Sequence, residues 1–283
     1  MKVGIIGAGY VGEATGRLMH SFGNEINFYD VVRKEFGKEF GFYNELDLLV
    51  KNSEIIFICV PTPQSEDGKI DLDILNSIAD KLIKIYKLNN LNIPLVIKST
   101  VVPGTTYNIL KKFQKEGINL SIGNNPEFIT EISKSWTQDD SMTRDWSSED
   151  KIVIGSEDEK ITSLLSELYD RFKDKIILTD TKTAELIKYA SNYCLASKIS
   201  FFNELFLISN KLGTDNAAVV KALSVDPRIG KYGSVNGKAY SGKCLPKDTK
   251  ALQYFLKNII ESDMLDSTIK INDKMEKDYG RRE

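Results

Sequence analysis

Cys244 stands in Ser241-Gly242-Lys243-Cys244-Leu245-Pro246-Lys247-Asp248, a glycine-bearing loop at the expected start of a helix. Flanking lysines and a helix N-terminus lower a thiol pKa and keep the sulfur reachable, which suits a reactive thiolate. The alternative is a small core residue. We read Cys59, inside a strand, and Cys194, on an apolar helix, in that second way. Lys188 and Asn192 are spaced i, i+4 and share one helix face. Either that face is solvated or the pair serves a pocket, because a lone ammonium and amide are costly among apolar neighbours. The chain has a single histidine, His20, so any Ser-His or Cys-His pair or multi-histidine metal site would have to be built around it. No metal is expected.

Gly7-Ala8-Gly9-Tyr10-Val11-Gly12 follows a strand and opens a helix. Glycines there permit a tight turn and bring a pyrophosphate close to the free N–H groups of the helix N-terminus. Asp30 closes the next strand, where a carboxylate holds the ribose hydroxyls of a dinucleotide and repels a 2′-phosphate. The cofactor expected is therefore NAD. Three further turns, Val60-Pro61-Thr62-Pro63, Ser99-Thr100-Val101-Val102-Pro103-Gly104 and Asn125-Pro126-Glu127-Phe128, should lie on the same carboxyl edge of the sheet. Ligands bind at that edge in open α/β folds.

The elements that must position these residues alternate. Strands are expected at Lys2–Ile6, Glu25–Tyr29, Ile55–Val60, Leu95–Ser99, Leu120–Gly123, Ile152–Gly155 and Ile176–Thr179. Helical patterns fall between them at 10–22, 71–87, 104–116 and 158–172. This is an α/β pattern, a doubly wound parallel Rossmann-type sheet. A long-helix all-α region follows. Lys182 to Leu212 has no proline or glycine and ends at Gly213, and shorter helices are expected at 214–224, 247–259 and 262–278. We expect an NAD-binding domain over 1–180 and a helical, dimer-forming domain with the cysteine loop over 181–283. The second half of the long helix, Tyr193 to Ile208, is apolar on most faces, so burial on several sides is expected. Residues 137–150 read as a mobile loop.

The 38 basic and 40 acidic residues leave a net charge of -2, against a nucleic-acid binder. Three scattered cysteines argue against a disulfide framework, and the first residues read as a strand rather than a signal peptide. The longest apolar run, Ile55 to Val60, is far short of the roughly 18 residues of a membrane span. A cytoplasmic protein with no membrane partner is expected.

Seven segments in order resemble the UDP-glucose/GDP-mannose dehydrogenase family over nearly the whole chain. They are the GAGYVG turn, Val-Pro-Thr-Pro at 60–63, Ser-Thr-Val-Val-Pro-Gly-Thr-Thr at 99–106, Asn-Pro-Glu-Phe at 125–128, Ala-Glu-Leu-Ile-Lys-Tyr-Ala-Ser-Asn at 184–192, Asp-Pro-Arg-Ile-Gly at 226–230 and Gly-Lys-Cys-Leu-Pro-Lys-Asp at 242–248. The resemblance implies a two-step oxidation of a nucleotide-sugar C6 alcohol to the uronic acid, with UDP-glucose to UDP-glucuronate as the expected conversion. Cys244 would form a thiohemiacetal and then a thioester. Lys188 and Asn192 match the pair that stabilises the oxyanion, and Asp248 the base of the first step. Glu127 and Glu131 match the carboxylates of thioester hydrolysis. Thr100 matches a residue that places cofactor and water. Gly7, Gly9, Tyr10, Val11, Gly12, Asp30, Val60, Pro61, Thr62, Thr100 and Glu131 would hold NAD. Glu127, Phe128, Lys188, Asn192, Gly242 and Lys247 would hold the substrate.

The chain departs from the family in three places. The usual Gly-x-Gly-Phe-Gly-Gly approach to the cysteine reads Gly237-Lys238-Ala239-Tyr240-Ser241-Gly242, so strain is expected if Ala239 or Ser241 needs positive φ. The usual arginine before Glu131 is Thr130. Family members continue past the helix at 262–278 into a domain that grips the nucleotide, which this chain would have to lack or receive from a separate chain. Two alternatives stay open: an NAD-binding module without dehydrogenase activity, and a β-hydroxyacid-type dehydrogenase.

Overall fold

Eight strands form one sheet in the order β3-β2-β1-β4-β5-β6-β7-β8. They are β1 (Lys2–Ile6), β2 (Glu25–Tyr29), β3 (Gly41–Phe42), β4 (Ile55–Ile58), β5 (Leu95–Ile97), β6 (Ile122–Asn124), β7 (Ile152–Gly155) and β8 (Ile176–Thr179). The computed structural model describes residues 1–34, 37–130, 136–137 and 145–282. Every neighbouring pair is parallel except β6 with β7, which meet antiparallel through Asn124 and Gly155. The long connection from β6 to β7 permits that reversal, and no pattern within either strand announces it. Two elements were not legible: the two-residue β3 and a six-residue helix, α2 (Leu46–Lys51).

The central strands are apolar along their whole length because both faces are covered. Ile55 and Phe57 of β4 face a layer with Leu18 and Met19 of α1 (Tyr10–Ser21) and Ile161 and Leu165 of α5 (Glu159–Leu168). Ile56 and Ile58 face the opposite layer, with Leu75, Leu82 and Tyr86 of α3 (Asp73–Asn89) and Ile109 and Phe113 of α4 (Thr105–Lys115). The 158–172 pattern stops early: α5 ends at Leu168, and a 3₁₀ turn at Asp170–Lys175 contains a non-helical Phe172.

The remaining helices are α6 (Thr181–Leu212), α7 (Asn216–Ser224), α8 (Leu245–Leu256) and α9 (Asp263–Tyr279). At 32 residues, α6 is about 48 Å long and ends at Gly213, whose φ of 69° suits a left-handed C′ position. The chain divides into two compact units. The first holds residues 1–63, 70–128 and 145–188, and the second holds 64–69, 129–144 and 189–283. Half of the expected mobile loop at 137–150, residues 138–144, lies outside the described residues.

In the second unit Ala196, Ile199 and Phe202 of α6 are fully buried, whereas Phe201 is 47% and Ile208 46% exposed and Cys194 is exposed too. Within the single chain a core role for Cys194 is therefore corrected. An apolar composition says that a face can be covered, not which face is. Phe57 is fully buried, so Phe57→Ala should cost about 3–5 kcal/mol of stability. Chemical denaturation would measure it, and a loss under about 1 kcal/mol would mean that this layer relaxes around the cavity.

Candidate active site

The turn between β1 and α1 requires glycine at two of its three glycine positions, Gly7 and Gly12. Gly7 has φ of 100°, and a Cβ there would stand 2.5 Å from the Cys59 carbonyl oxygen at the end of β4. A Cβ on Gly12 would meet the Gly7 carbonyl oxygen at 1.9 Å, so the third glycine lets the helix start lie against the turn. Gly9 faces open space and supplies no side-chain cap to α1. Asp30 is drawn onto this turn: its Oδ2 accepts from the Ala8 N–H at 2.6 Å and its Oδ1 from Val32 at 3.0 Å. A tight turn, an open helix N-terminus and a held carboxylate together fit the pyrophosphate and ribose of NAD. Gly7 and Gly12 are buried, Gly9 and Val11 are half-buried, and Tyr10 is exposed.

The next two turns are stitched together. Thr62 Oγ1 donates to the Thr100 carbonyl at 2.7 Å, and Ser99 Oγ donates to the Val60 carbonyl at 2.7 Å. Val60 and Thr62 are buried beside the exposed Pro61. Thr100 is half-buried.

After β6 the chain places Glu127 against Lys188. Their ion pair measures 3.1 Å between side chains 8% and 5% exposed. Phe128 lies beneath two cations, Lys151 at 4.2 Å and Lys188 at 5.6 Å from its ring centre. Behind them Lys98 Nζ donates to Asn125 Oδ1 at 2.9 Å, and Tyr169 donates to the same oxygen at 2.6 Å. Burial pushes the Lys98 ammonium below its ordinary pKa, opposed chiefly by the negative charge of Glu149. Burial likewise pushes the Glu149 carboxyl up, with Lys98 opposing. Cys59, buried in the same region, is raised to about 12, so it is no nucleophile.

Glu185 was not foreseen as a site residue, although it lies one turn before Lys188. Its carboxylate is buried and accepts from the Gly104 and Thr106 N–H groups at the start of α4, fixing the Ser-Thr loop to α6. Lys98 was missed as well. The one signal was a lysine closing an otherwise apolar strand.

In the second unit, Cys244 is the residue preceding α8 and is half-buried. The helix begins two residues earlier than expected, which puts the cysteine directly at its N-terminus, where the dipole favours a thiolate. Asp248 lies in the first turn, 2% exposed, and its N–H donates to the Cys244 carbonyl at 2.8 Å. Its side chain accepts from Asn192 Nδ2 at 2.5 Å and from Lys247 Nζ. Gly242 is exposed, with φ of 83°. Neither Ala239 nor Ser241 has positive φ, so the feared strain does not arise. Glu131 lies outside the described residues.

The sheet topology and the dinucleotide turn define an NAD-dependent oxidoreductase. Residues 27–173 match the NAD-binding domain and residues 182–274 the central domain of the UDP-glucose/GDP-mannose dehydrogenase family, and the chain belongs to that family. The GAGYVG turn precedes the first matched span. UDP-glucose 6-dehydrogenase YwqF of Bacillus subtilis is 34% identical, covering 98% of this chain and 67% of that protein. A UDP-glucose dehydrogenase of Pyrobaculum islandicum superposes with a TM-score of 0.85 at 29% identity, over 98% of this chain and 68% of that one. The chain thus spans about two thirds of the length of these relatives. A 3-hydroxyisobutyrate dehydrogenase of Mycobacterium tuberculosis, with a TM-score of 0.70 at 12% identity over 100% of this chain and 96% of that one, shares the fold.

Because a methyl group at position 12 would collide with the Gly7 carbonyl, Gly12→Ala should weaken NAD binding at least about tenfold, or roughly 1.4 kcal/mol. Titration calorimetry with NAD would show it. Unchanged affinity would remove this turn from the cofactor site.

Proposed function

We propose that the chain oxidises the C6 alcohol of a nucleotide sugar, UDP-glucose in the first instance, to the carboxylate through a covalent cysteine adduct. One arrangement carries the reading: α6 bears Lys188 and Asn192 one turn apart, each held by a buried carboxylate, and Asn192's partner Asp248 sits in the first turn after Cys244. A solvated helix face would not bury a lysine at 4% exposure.

Two NAD, bound one after the other, would supply the hydride acceptors, one for each oxidation. Asp248, through a water, takes the alcohol proton as the aldehyde forms. The Cys244 thiolate then bonds to the aldehyde carbon, and the former carbonyl oxygen carries the negative charge. Lys188 and Asn192 are the donors assigned to that oxygen, where fixed hydrogen bonds are worth most. Once the adduct is a thioester, water attacks its carbonyl carbon and the C–S bond breaks. The carboxylate leaves and the thiol is regained. Glu127 and Glu131 are the carboxylates assigned to take the proton from that water. Sulfur suits both halves, adding reversibly to a carbonyl and leaving readily from a thioester.

The test counts NADH released per sugar across a panel of UDP- and GDP-sugars, with two expected. Lys188→Ala should lower kcat by about 10²–10³-fold. Cys244→Ser should stop acid formation. Full acid formation by that variant would sink the thioester route, and one NADH per sugar would point to a simple alcohol dehydrogenase of the β-hydroxyacid type. NAD binding with no NADH from any sugar would leave a binding module.

A homodimer through α6 belongs to the same proposal. Cys194, Phe201 and Ile208 recur every seven residues and are all exposed, the spacing of a stripe along one helix face. Sedimentation should give a dimer for the native chain and a monomer for Phe201→Glu. A dimer in both would move the interface elsewhere. A reducing, cytoplasmic setting fits the exposed thiol of Cys194.

A further inference from the structure

The loop that leads into Cys244 has its main-chain groups accounted for almost one by one. Gly237 N–H donates to Asn203 Oδ1 at 2.8 Å, and Asn203 Nδ2 donates to the Lys238 carbonyl at 2.9 Å. Tyr240 N–H donates to Asn272 Oδ1 of α9 at 2.7 Å, and Asn272 Nδ2 donates to the Tyr240 carbonyl. Between these two clamps the partner is the segment that follows α9. Ala239 N–H donates to the Gly280 carbonyl at 3.0 Å, Arg282 N–H donates to the Ala239 carbonyl at 3.2 Å, and Ser241 Oγ donates to the Arg282 carbonyl. Residues 239 and 281 thereby form a short parallel bridge.

The side chain of Arg282 seals the arrangement. Its guanidinium lies 5.4 Å from the centre of the Trp136 ring, and Nη2 donates to the Asn236 carbonyl at 3.3 Å. Its Nε is buried with no hydrogen-bond partner among the described residues. Leaving a donor unpaired is costly, so stacking and the remaining bonds must hold the side chain in this place. Ala239 and Ser241 are also the two positions at which this chain departs from the family's glycine pattern. Both bond to the 280–282 segment, and Ser241 does so through a hydroxyl that glycine lacks.

We propose that Gly280–Arg282 is a strap that positions the loop entering Cys244, with Arg282 as its positioning residue. The inference rests on Cys244 being the reactive thiol of the proposed function. Its mechanics require only that the loop be held. Without the strap, Ala239 loses both main-chain partners and Ser241 its acceptor, while the Asn203 and Asn272 clamps remain. The segment then keeps its ends and gains freedom in the middle, next to the cysteine.

Alkylation by iodoacetamide in the full chain, resolved by peptide mass spectrometry at one mildly alkaline pH, reads this directly. The Cys244 rate in the native chain serves as the reference and buried Cys59 as the reporter of unfolding. Arg282→Ala should raise the Cys244 rate about fivefold over native, the loss expected from one or two net hydrogen bonds, with Cys59 still protected. Arg282→Lys, which keeps a cation for Trp136, should restore most of the native rate. An unchanged rate in Arg282→Ala overturns the strap. If that variant exposes Cys59, Ser241→Gly decides, because it removes only the hydroxyl bond. A rise of about twofold supports the strap and no rise overturns it. The NADH count is a separate measurement, so a failed strap and a failed dehydrogenase reading give different results.

Discussion

Lys188 holds its ammonium where water barely reaches, and the contact that makes this tolerable is the 3.1 Å ion pair with Glu127. Removing two charges from water costs several kcal/mol each, and attraction repays it only where geometry and further hydrogen bonds are good. Removing one partner strands the other charge at about 3–5 kcal/mol. The pair therefore constrains two stretches at once, the loop after β6 and the first turns of α6. A parallel sheet supplies that loop at the same edge as the glycine turn and the Ser-Thr loop, because β1, β4, β5 and β6 all end there.

Glu185 extends the same logic one turn earlier on α6. Its carboxylate takes two N–H groups at the start of α4, groups that a helix N-terminus must otherwise leave to water. The entry to α4 is Gly104 with φ of 98°, which has no side chain to cap the helix. A glutamate from a helix 81 residues later in sequence supplies the missing acceptor. The Ser-Thr loop and Lys188 thus refer to one helix. In the second unit the device is different. Asn192 is a neutral donor to Asp248, whose carboxylate also accepts from Lys247 in the first turn of α8.

How much of this was legible follows from what each pattern encodes. The seven longer strands were visible as β-branched runs, and the dinucleotide turn and Asp30 were visible through spacing alone. Gly41–Phe42 and Leu46–Lys51 are too short to show a period. The reversal of β7 is a property of its neighbour, not of Ile-Val-Ile-Gly. Cys194 was misread because apolar surroundings in sequence do not say which helix face the fold covers. Glu185 and Lys98 read as ordinary charged residues, since only tertiary packing reveals that each is buried and satisfied from distant loops. The substitutions at 239 and 241 imply strain only if either position needs positive φ. The structure keeps positive φ at Gly237 and Gly242 and leaves the altered positions in ordinary backbone.

The charges behind Lys188 sharpen what that lysine can do. Lys98 and Lys188 face Glu127 and Glu149, two cations and two anions in one buried region. Burial draws Lys98 down and Glu149 up, so both are pushed toward their neutral forms. Whether that inner pair is held as ions or as neutral groups, its charges sum to zero. Its contribution to the net charge around Lys188 is therefore the same in either form. Glu127 acts on Lys188 at contact distance, 3.1 Å, whereas Lys98 and Glu149 act on it through space.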